Sequence, residues 1–213
     1  STGSVYGNVS SQINIPENHK KKPLNPYSDS KYKLENHLIS LSNENKISAI
    51  ILRYFNVAGA DIKNRSGLIT NPDNLIKAIC EVATGKRKEL IVNGNDYKTK
   101  DGTTIRDYIH VSDLAEMHVL AADNLIKKNK TDIYNCGYGT GFSIGDVISS
   151  MNRILNKEIK IKYGPRREGD AEYSVSDNTK FLNEFNWSPK MNNLDQILTT
   201  SLNWEKTVKK IFN

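Results

Sequence analysis

The chain has 213 residues, a formal net charge of +6 and 37% hydrophobic residues, which is the composition of an ordinary globular protein. No apolar run approaches the roughly 20 residues of a membrane span, and no apolar segment follows a basic start as in a signal peptide. The basic residues are scattered, which argues against nucleic-acid binding and favours arginines that bind a small anionic ligand. Cys80 and Cys136 lack metal or redox spacing, so we predict buried free thiols in a reducing compartment, the cytoplasm, and no metal site.

Apolar periodicity predicts alternating helices and strands. The predicted strands cover 47–54, 89–92, 133–136 and 160–163. The predicted helices cover 28–45 (with Leu34, Leu38 and Leu41 on one stripe), 72–84, 112–128, a segment after Ser143, and 192–212. Gly85 is the predicted C-cap of the second helix, Ser112 the N-cap of the third, and Ser143 with Asp146 a capping box.

The order of these elements favours an α/β fold. The Ile-rich run 47–54 is typical of a strand covered on both faces of a parallel sheet. Residues 1–7 resemble a strand entering a loop, so we expect the sequence to begin inside a longer protein. The polar stretches 60–71 and 94–107 interrupt the pattern, as functional loops do. We therefore predict part of a doubly wound sheet with a smaller, mixed α/β lobe woven into it.

The pair Tyr27 and Lys31 is the first chemical motif. A spacing of four places both side chains one turn apart on one helix face, and Pro26 suits the helix entrance. A phenol serves as an acid or base near neutral pH only if its pKa falls by about three units from about 10. Such a fall requires that the ionised form be stabilised by roughly 4 kcal/mol. One ammonium about 6 Å away supplies roughly 2.8 kcal/mol at an effective dielectric of about 20. The pair therefore suits a site with a second cation, such as an oxidised nicotinamide; alone, it is also typical of an exposed helix face.

Six segments give the chain a specific resemblance over essentially its whole length: STGSVYG, NPYSDSK, LRYFNVAGA, NGNDYKTKDGTTIRDYIHVSDLA, YNCGYGTGFS and PRREGD. In this order they resemble the UDP-glucose 4-epimerases of the extended short-chain dehydrogenase superfamily. The resemblance implies a Rossmann-type sheet and a homodimer. Residues 1–60 would be the C-terminal part of an NAD-binding domain. Residues 61–213 would form mainly a UDP-sugar-binding lobe, interleaved with Rossmann elements at about 103–136.

The resemblance also implies roles for single residues. Tyr27 would be the catalytic base, Lys31 would hold the nicotinamide ribose of NAD, Thr2 would hydrogen-bond the sugar, and Tyr54 would lie near the nicotinamide. Substrate contacts are implied for Phe55, Asn56, Asn74, Leu75, Ile91, Arg106, Tyr108, Arg167, Asp170 and Ser174. Among these, the two arginines would clamp the diphosphate, because a guanidinium fork matches phosphate oxygens.

Several positions decide between related functions. Related dehydratases carry Asp-Glu where this chain has Gly3 and Ser4, so a general acid for dehydration is missing and 4-epimerisation is favoured. Asn93 stands where an aromatic residue is common beside the uracil. A small residue at the position of Ser174 accompanies acceptance of N-acetylated sugars, so we hypothesise that UDP-N-acetylglucosamine and UDP-N-acetylgalactosamine are substrates besides UDP-glucose and UDP-galactose.

Two alternatives remain open at this stage: another dehydratase or decarboxylase of the superfamily, and a non-catalytic sugar-nucleotide-binding remnant. The loop 137–141, GYGTG, is a tempting dinucleotide motif. However, Phe142 stands where the last glycine belongs, so we predict an ordinary strand-to-helix loop. His110 and Asp113 are predicted to be structural.

Overall fold

The computed structural model describes residues 1–9, 12–70 and 74–212. After a 3-10 turn at Gly3–Tyr6, the described helices are α1 (Pro26–Asn43), α2 (Leu75–Ala83), α3 (Val111–Lys128), α4 (Ile144–Leu155), α5 (Thr179–Phe185) and α6 (Leu194–Phe212). The described strands are β1 (Ile50–Tyr54), β2 (Asn56–Ala58), β3 (Leu90–Asn93), β4 (Ile105–His110), β5 (Asp132–Cys136), β6 (Gly141–Ser143), β7 (Ile161–Gly164) and β8 (Tyr173–Ser174).

Parallel pairing dominates the sheets. β1 pairs with β5 in parallel, with Ile50 opposite Asp132, and β3 pairs in parallel with β7. β4 is the centre of the third sheet: it pairs in parallel with β2 and β8 and antiparallel with β6. Parallel strands need crossover connections, which the intervening helices supply, so the α/β prediction agrees with the structure.

One large apolar cluster forms the core. It combines buried side chains of the strands with those of α2, α3, α4 and α6, among them Ile79, Ile109, Met117, Met151 and Leu198. The predicted buried thiols, Cys80 and Cys136, are both buried and free. No helix within 1–9, 12–70 and 74–212 is both long and apolar enough to cross a membrane.

The predicted helix ends are partly right. Asn25 and Ser28 form a capping box at the start of α1, and Ser143 and Asp146 form the predicted one at α4. Thr84 is the C-cap of α2, and Gly85 follows it with a φ of +77°, the left-handed conformation that glycine adopts most easily. The predicted start of this helix at residue 72 lies outside the described residues.

Two predictions for the helices were wrong. The N-cap of α3 is His110 and not Ser112, because the His110 Nδ1 accepts the backbone N–H of Ser112 at 3.1 Å. In α1, Leu34 remains 49% exposed, whereas the buried residues of the helix are Ser28 and Glu35. The inner face of α1 is therefore held mainly by polar contacts.

Strand β4, the short strands β2, β6 and β8, and helix α5 were not predicted. β4 also extends back into the predicted loop 94–107, because Ile105 to Asp107 pair with β6. Strands of two or three residues carry too little alternation to be recognised, and their extent depends on the neighbouring strand.

Candidate active site

Two adjoining cavities lie beside β2. The larger cavity, about 760 Å³, is lined by the 3-10 turn, by residues 54–59 and by parts of α2, α3 and α6. The smaller cavity, about 460 Å³, lies between β3, β4 and the start of α2. The two cavities share one wall, which consists of Asn56, Val57, Asn74 and Ile76.

The smaller cavity collects most of the predicted substrate contacts. Eight of the ten line it: Asn56, Asn74, Leu75, Ile91, Arg106, Tyr108, Arg167 and Asp170. Ile91 presents an exposed apolar surface, while Tyr108 is buried, and this burial raises the pKa of the Tyr108 phenol to about 12. Asn74 also caps α2 by accepting the backbone N–H of Lys77 at 3.0 Å, which fixes the entrance of that helix at the cavity.

Both predicted diphosphate-binding arginines face the smaller cavity with polar partners. Arg106 forms an ion pair with Asp170 and donates to the backbone oxygen of Ile105 at 2.8 Å. Asn93 lies beside Arg167: with the Asn93 amide oxygen turned toward the guanidinium, the Arg167 Nε is 2.7 Å away. The cavity therefore offers two cations for an anionic ligand, each oriented by a neighbouring polar side chain.

The larger cavity contains Thr2, Tyr54, Phe55 and Ser174. The Thr2 hydroxyl makes its hydrogen bonds locally, accepting the backbone N–H of Ser4 at 3.2 Å. Thr2 and Tyr54 are joined by a parallel β-bridge, so the end of β1 lies directly beside the 3-10 turn. The bridge therefore brings Thr2 next to Tyr54 and Phe55 in the lining of the larger cavity.

The Tyr54 hydroxyl is held by His118. The His118 ring bonds the carbonyl oxygen of Leu114 through Nδ1 at 2.7 Å, so Nδ1 carries the proton. Nε2 therefore accepts the Tyr54 hydroxyl at 2.5 Å. Burial, with smaller contributions from Cys136 and Tyr27, raises the pKa of Tyr54. Tyr54 thus enters the cavity as a neutral phenol of fixed orientation.

Tyr27 and Lys31 lie on one face of α1, as predicted. The Lys31 Nζ is 5.6 Å from the centroid of the Tyr27 ring, and the Tyr27 side chain is 57% exposed. Neither residue belongs to the lining of the two cavities.

Some lining residues were missed from the sequence. Arg87 and Thr104 line the smaller cavity, and Lys77, Trp204 and Glu205 line the larger one. The basic run 86–88 was a possible signal for Arg87. Trp204 and Glu205 lie on α6, where the apolar periodicity of a core helix conceals any relation to a ligand.

The described residues fit one end of a nicotinamide dinucleotide. The Tyr27 phenol is exposed, and the Lys31 ammonium lies 5.6 Å from the centroid of the Tyr27 ring. The glycine-rich loop 137–141 provides no phosphate cradle, because the backbone N–H groups of Tyr138 and Gly139 already donate to the buried Asp107 at 2.8 and 3.0 Å. In the part of the chain that the structure describes, no cluster of His, Cys, Asp and Glu is arranged to hold a metal ion.

The model of the NAD dependent epimerase/dehydratase family matches residues 1–137. The chain belongs to this family. It is 39% identical over 211 residues to a UDP-glucose 4-epimerase of Azospirillum brasilense, with 99% of this chain and 60% of that protein covered. The chain thus spans about three fifths of the length of such relatives.

Solved structures of the family share the fold. A UDP-glucose 4-epimerase of Stenotrophomonas maltophila, with bound NAD and formylated UDP-arabinopyranose, matches with a TM-score of 0.94 and 31% identity over 99% of this chain and 63% of that one. A UDP-Glc/GlcNAc 4-epimerase of Campylobacter jejuni matches with a TM-score of 0.76 and 38% identity over 97% of this chain and 63% of that one. The Rossmann-like α/β fold predicted from the sequence is therefore confirmed.

Proposed function

We propose that this chain provides the substrate-binding and acid–base residues of an NAD-dependent UDP-sugar 4-epimerase that interconverts UDP-glucose and UDP-galactose. The main observation behind this proposal is the smaller cavity. Eight of the ten predicted substrate contacts line it, including Arg106, Arg167 and Asp170. The UDP-glucose 4-epimerase names and the NAD and UDP-sugar ligands of the related proteins support the same activity.

In this mechanism each cavity has its own task. Arg106 and Arg167 bind the diphosphate in the smaller cavity, and the sugar enters the larger one past Asn56. Tyr27 takes the proton of the 4-hydroxyl and later returns it, while Lys31 supplies positive charge one turn away. Tyr27, Lys31 and Tyr54 would hold the nicotinamide end of NAD, which would supply a reversible hydride acceptor that is regenerated in each cycle. Gly3 and Ser4, at the cavity wall, contribute no carboxylic acid for a dehydration.

The test uses the full-length protein with NAD and UDP-glucose, and UDP-galactose formation is measured. Tyr27→Phe should lower kcat by about 10²- to 10⁴-fold, the usual contribution of a general acid–base group, with unchanged UDP affinity. Tyr32→Phe is the matched control, since Tyr32 lies on the same helix but packs against the cluster around Val5 and Phe55. Absence of UDP-galactose with the unmodified protein, or full turnover by Tyr27→Phe, would contradict the proposal.

The substrate range includes N-acetylated sugars in this proposal. Ser174 lines the larger cavity together with Phe55 and Asn56, so a hydroxymethyl group stands where a larger side chain would fill space. The related Campylobacter jejuni protein is described as a UDP-Glc/GlcNAc 4-epimerase. Turnover of UDP-N-acetylglucosamine that is lost in Ser174→Tyr, while UDP-glucose turnover persists, would support this range. No turnover of the N-acetylated substrate by the unmodified protein would end it.

The domain division and the assembly belong to the same proposal. Residues 1–60 contribute to the NAD-binding domain and 61–213 mainly to the sugar-nucleotide lobe, in a cytoplasmic homodimer. The interleaving at about 103–136 is supported by the pairing of β1 with β5. β5 follows α3 in that segment and pairs in parallel with β1, the strand that ends at Tyr54. Light scattering of the full-length protein measures the assembly, and a monomer would exclude the dimer.

A further inference from the structure

Glu35 is a buried carboxylate on the helix that bears the proposed catalytic pair. It follows Tyr27 by eight residues and Lys31 by four in α1, so the three side chains leave the same side of the helix. Glu35 is 2% exposed, although most of α1 is accessible. The contacts of this one carboxylate therefore have a large share in setting how α1 is turned about its axis.

Two partners hold Glu35 from different segments. Arg53 donates from Nε to Oε1 at 2.9 Å and from Nη2 to Oε2 at 2.6 Å, a two-point contact that fixes the plane of the carboxylate. The Ser1 hydroxyl donates to Oε1 at 2.5 Å. Burial alone would raise the pKa of Glu35, but the hydrogen bonds from Arg53 and Ser1 outweigh it and hold the pKa below its usual value. The carboxylate is thus ionised at neutral pH.

Each partner stands next to a residue of the larger cavity. Ser1 precedes Thr2, and Arg53 precedes Tyr54. Thr2 and Tyr54 both line the cavity and are themselves joined by a β-bridge. One carboxylate consequently connects the three segments that carry Thr2, Tyr54 and the Tyr27–Lys31 pair.

Arg53 is fixed on its other side as well. Its Nη1 donates to the Tyr6 hydroxyl at 2.8 Å and to the backbone oxygen of Glu17 at 2.9 Å, and the Tyr6 hydroxyl donates to Asn135 at 2.7 Å. A buried ion pair adds little stability compared with apolar side chains of similar volume, because both charges lose their hydration. Such a pair instead fixes the relative orientation of its two side chains, because the carboxylate and the guanidinium are both planar and meet at two hydrogen bonds.

We infer that Glu35, through Arg53 and Ser1, is a positioning residue that fixes α1 against the end of β1 and so sets where Tyr27 and Lys31 lie relative to the cavity lined by Thr2 and Tyr54. The catalytic part of this inference rests on the proposed epimerase function. The structural part, that Glu35 fixes α1 on β1, stands without it.

The test compares variants of the full-length protein. Glu35→Gln keeps the shape of the side chain and removes its charge. Its kcat should fall about 10- to 100-fold, as for a displacement of about 1 Å at a reacting group, while the Kd for UDP and the KM change less than about twofold. The double variant Glu35→Leu with Arg53→Met replaces the pair by apolar side chains. It should regain part of the Tm lost in Glu35→Gln, because Arg53 also donates to Tyr6 and Glu17, but none of the lost kcat. Wild-type kcat in either variant would overturn the inference.

A second measurement is independent of turnover. Amide hydrogen exchange across α1 should be faster in Glu35→Gln, with α2 and α4 unchanged, and unchanged exchange in α1 would overturn the inference even if the protein were not an epimerase. Asp113→Asn is the matched control. Asp113 is also a buried carboxylate, accepting the Tyr138 hydroxyl at 2.6 Å and the backbone N–H of Lys190 at 3.0 Å, but on α3. It should lower the Tm without changing kcat or the exchange of α1.

Discussion

Arg106 on β4 forms an ion pair with Asp170 inside the smaller cavity, and both side chains belong to its lining. The Arg106 side chain is 12% exposed, so its charge is poorly screened by water. A diphosphate entering this cavity meets a guanidinium that is already oriented by a carboxylate. The diphosphate would then bind Arg106 together with Asp170 or in place of it. The strength of this binding should depend on the two parallel N–H donors of the Arg106 guanidinium.

Replacing Arg106 by Lys keeps the charge and removes the fork. We expect the Kd for UDP to rise about 10- to 100-fold, the equivalent of one charged hydrogen bond of about 1.5–3 kcal/mol, with little change in kcat. Titration calorimetry with UDP measures it. Arg153→Lys is the control, because Arg153 forms an exposed pair with Asp195 away from both cavities. An unchanged Kd in Arg106→Lys would exclude Arg106 from diphosphate binding.

Asn93 should act through Arg167 and not through the base. Its side chain lies within hydrogen-bonding distance of the Arg167 Nε. Asn93→Ala should weaken binding of UDP and of inorganic pyrophosphate by the same factor, about two- to tenfold, which is less than for a lost charged hydrogen bond to the ligand because Asn93 acts only by orienting Arg167. Competition assays with both ligands measure the two affinities. If UDP binding weakens and pyrophosphate binding does not, Asn93 contacts the uridine instead.

Protonation of His110 should destabilise the protein. Its Nδ1 must accept the Ser112 N–H to cap α3, and Nε2 lies 3.1 Å from the Thr200 hydroxyl. Burial lowers the pKa of His110 from its ordinary value of about 6.5. The unfolded chain therefore binds the proton more readily, so this contribution is complete above about pH 6.5 and is lost as the pH falls through the lower folded value.

The loss from His110 should amount to at most about 1.4 kcal/mol per pH unit. Urea unfolding between pH 7.5 and 5 measures it. His110→Asn retains an N-cap acceptor without a titrating group, so its stability should vary less over this range. Equal pH dependence of both proteins would contradict the assignment.

The two classes of ion pair should differ sharply in their effect on stability. Lys77 of α2 donates to Glu205 of α6 at 2.5 Å, and both side chains are buried. Removing one partner, as in Glu205→Gln, should cost up to about 3–5 kcal/mol, because the buried Lys77 ammonium keeps only the more distant Glu81 carboxylate, at 3.8 Å. Lys33→Met, which removes the exposed pair with Asp29, should cost far less, because water screens an exposed pair. Chemical denaturation of the two variants tests the contrast, and similar losses would contradict it.

The sequence predicts most of the longer elements, although it misses β4, and it predicts eight of the residues that line the smaller cavity. Long apolar runs such as 47–54 lie in buried strands whatever their neighbours, so their pattern is visible in the sequence. The residues of the smaller cavity come from motifs whose order along the chain is distinctive. These motifs converge because β3, β4 and the start of α2 all border the smaller cavity.

Other features depend on tertiary partners and were missed for that reason. Ser112 is the more usual capping residue, and only the extended backbone of His110 shows that the imidazole caps α3. The leucine stripe of α1 predicts an apolar inner face, yet Glu35 is buried there because Arg53 lies opposite. The sequence around Glu35 does not show that Arg53, 18 positions further along the chain, will pair with it.

The wall of Asn56, Val57, Asn74 and Ile76 between the two cavities has a consequence for how substrate choice evolves. Ser174 lines only the larger cavity, whereas Arg167 and Asp170 line only the smaller one. If the proposed function holds, mutations around Ser174 would alter the choice of sugar without changing the residues that bind the nucleotide, so that related enzymes could diverge in their sugars and retain the same uridine carrier.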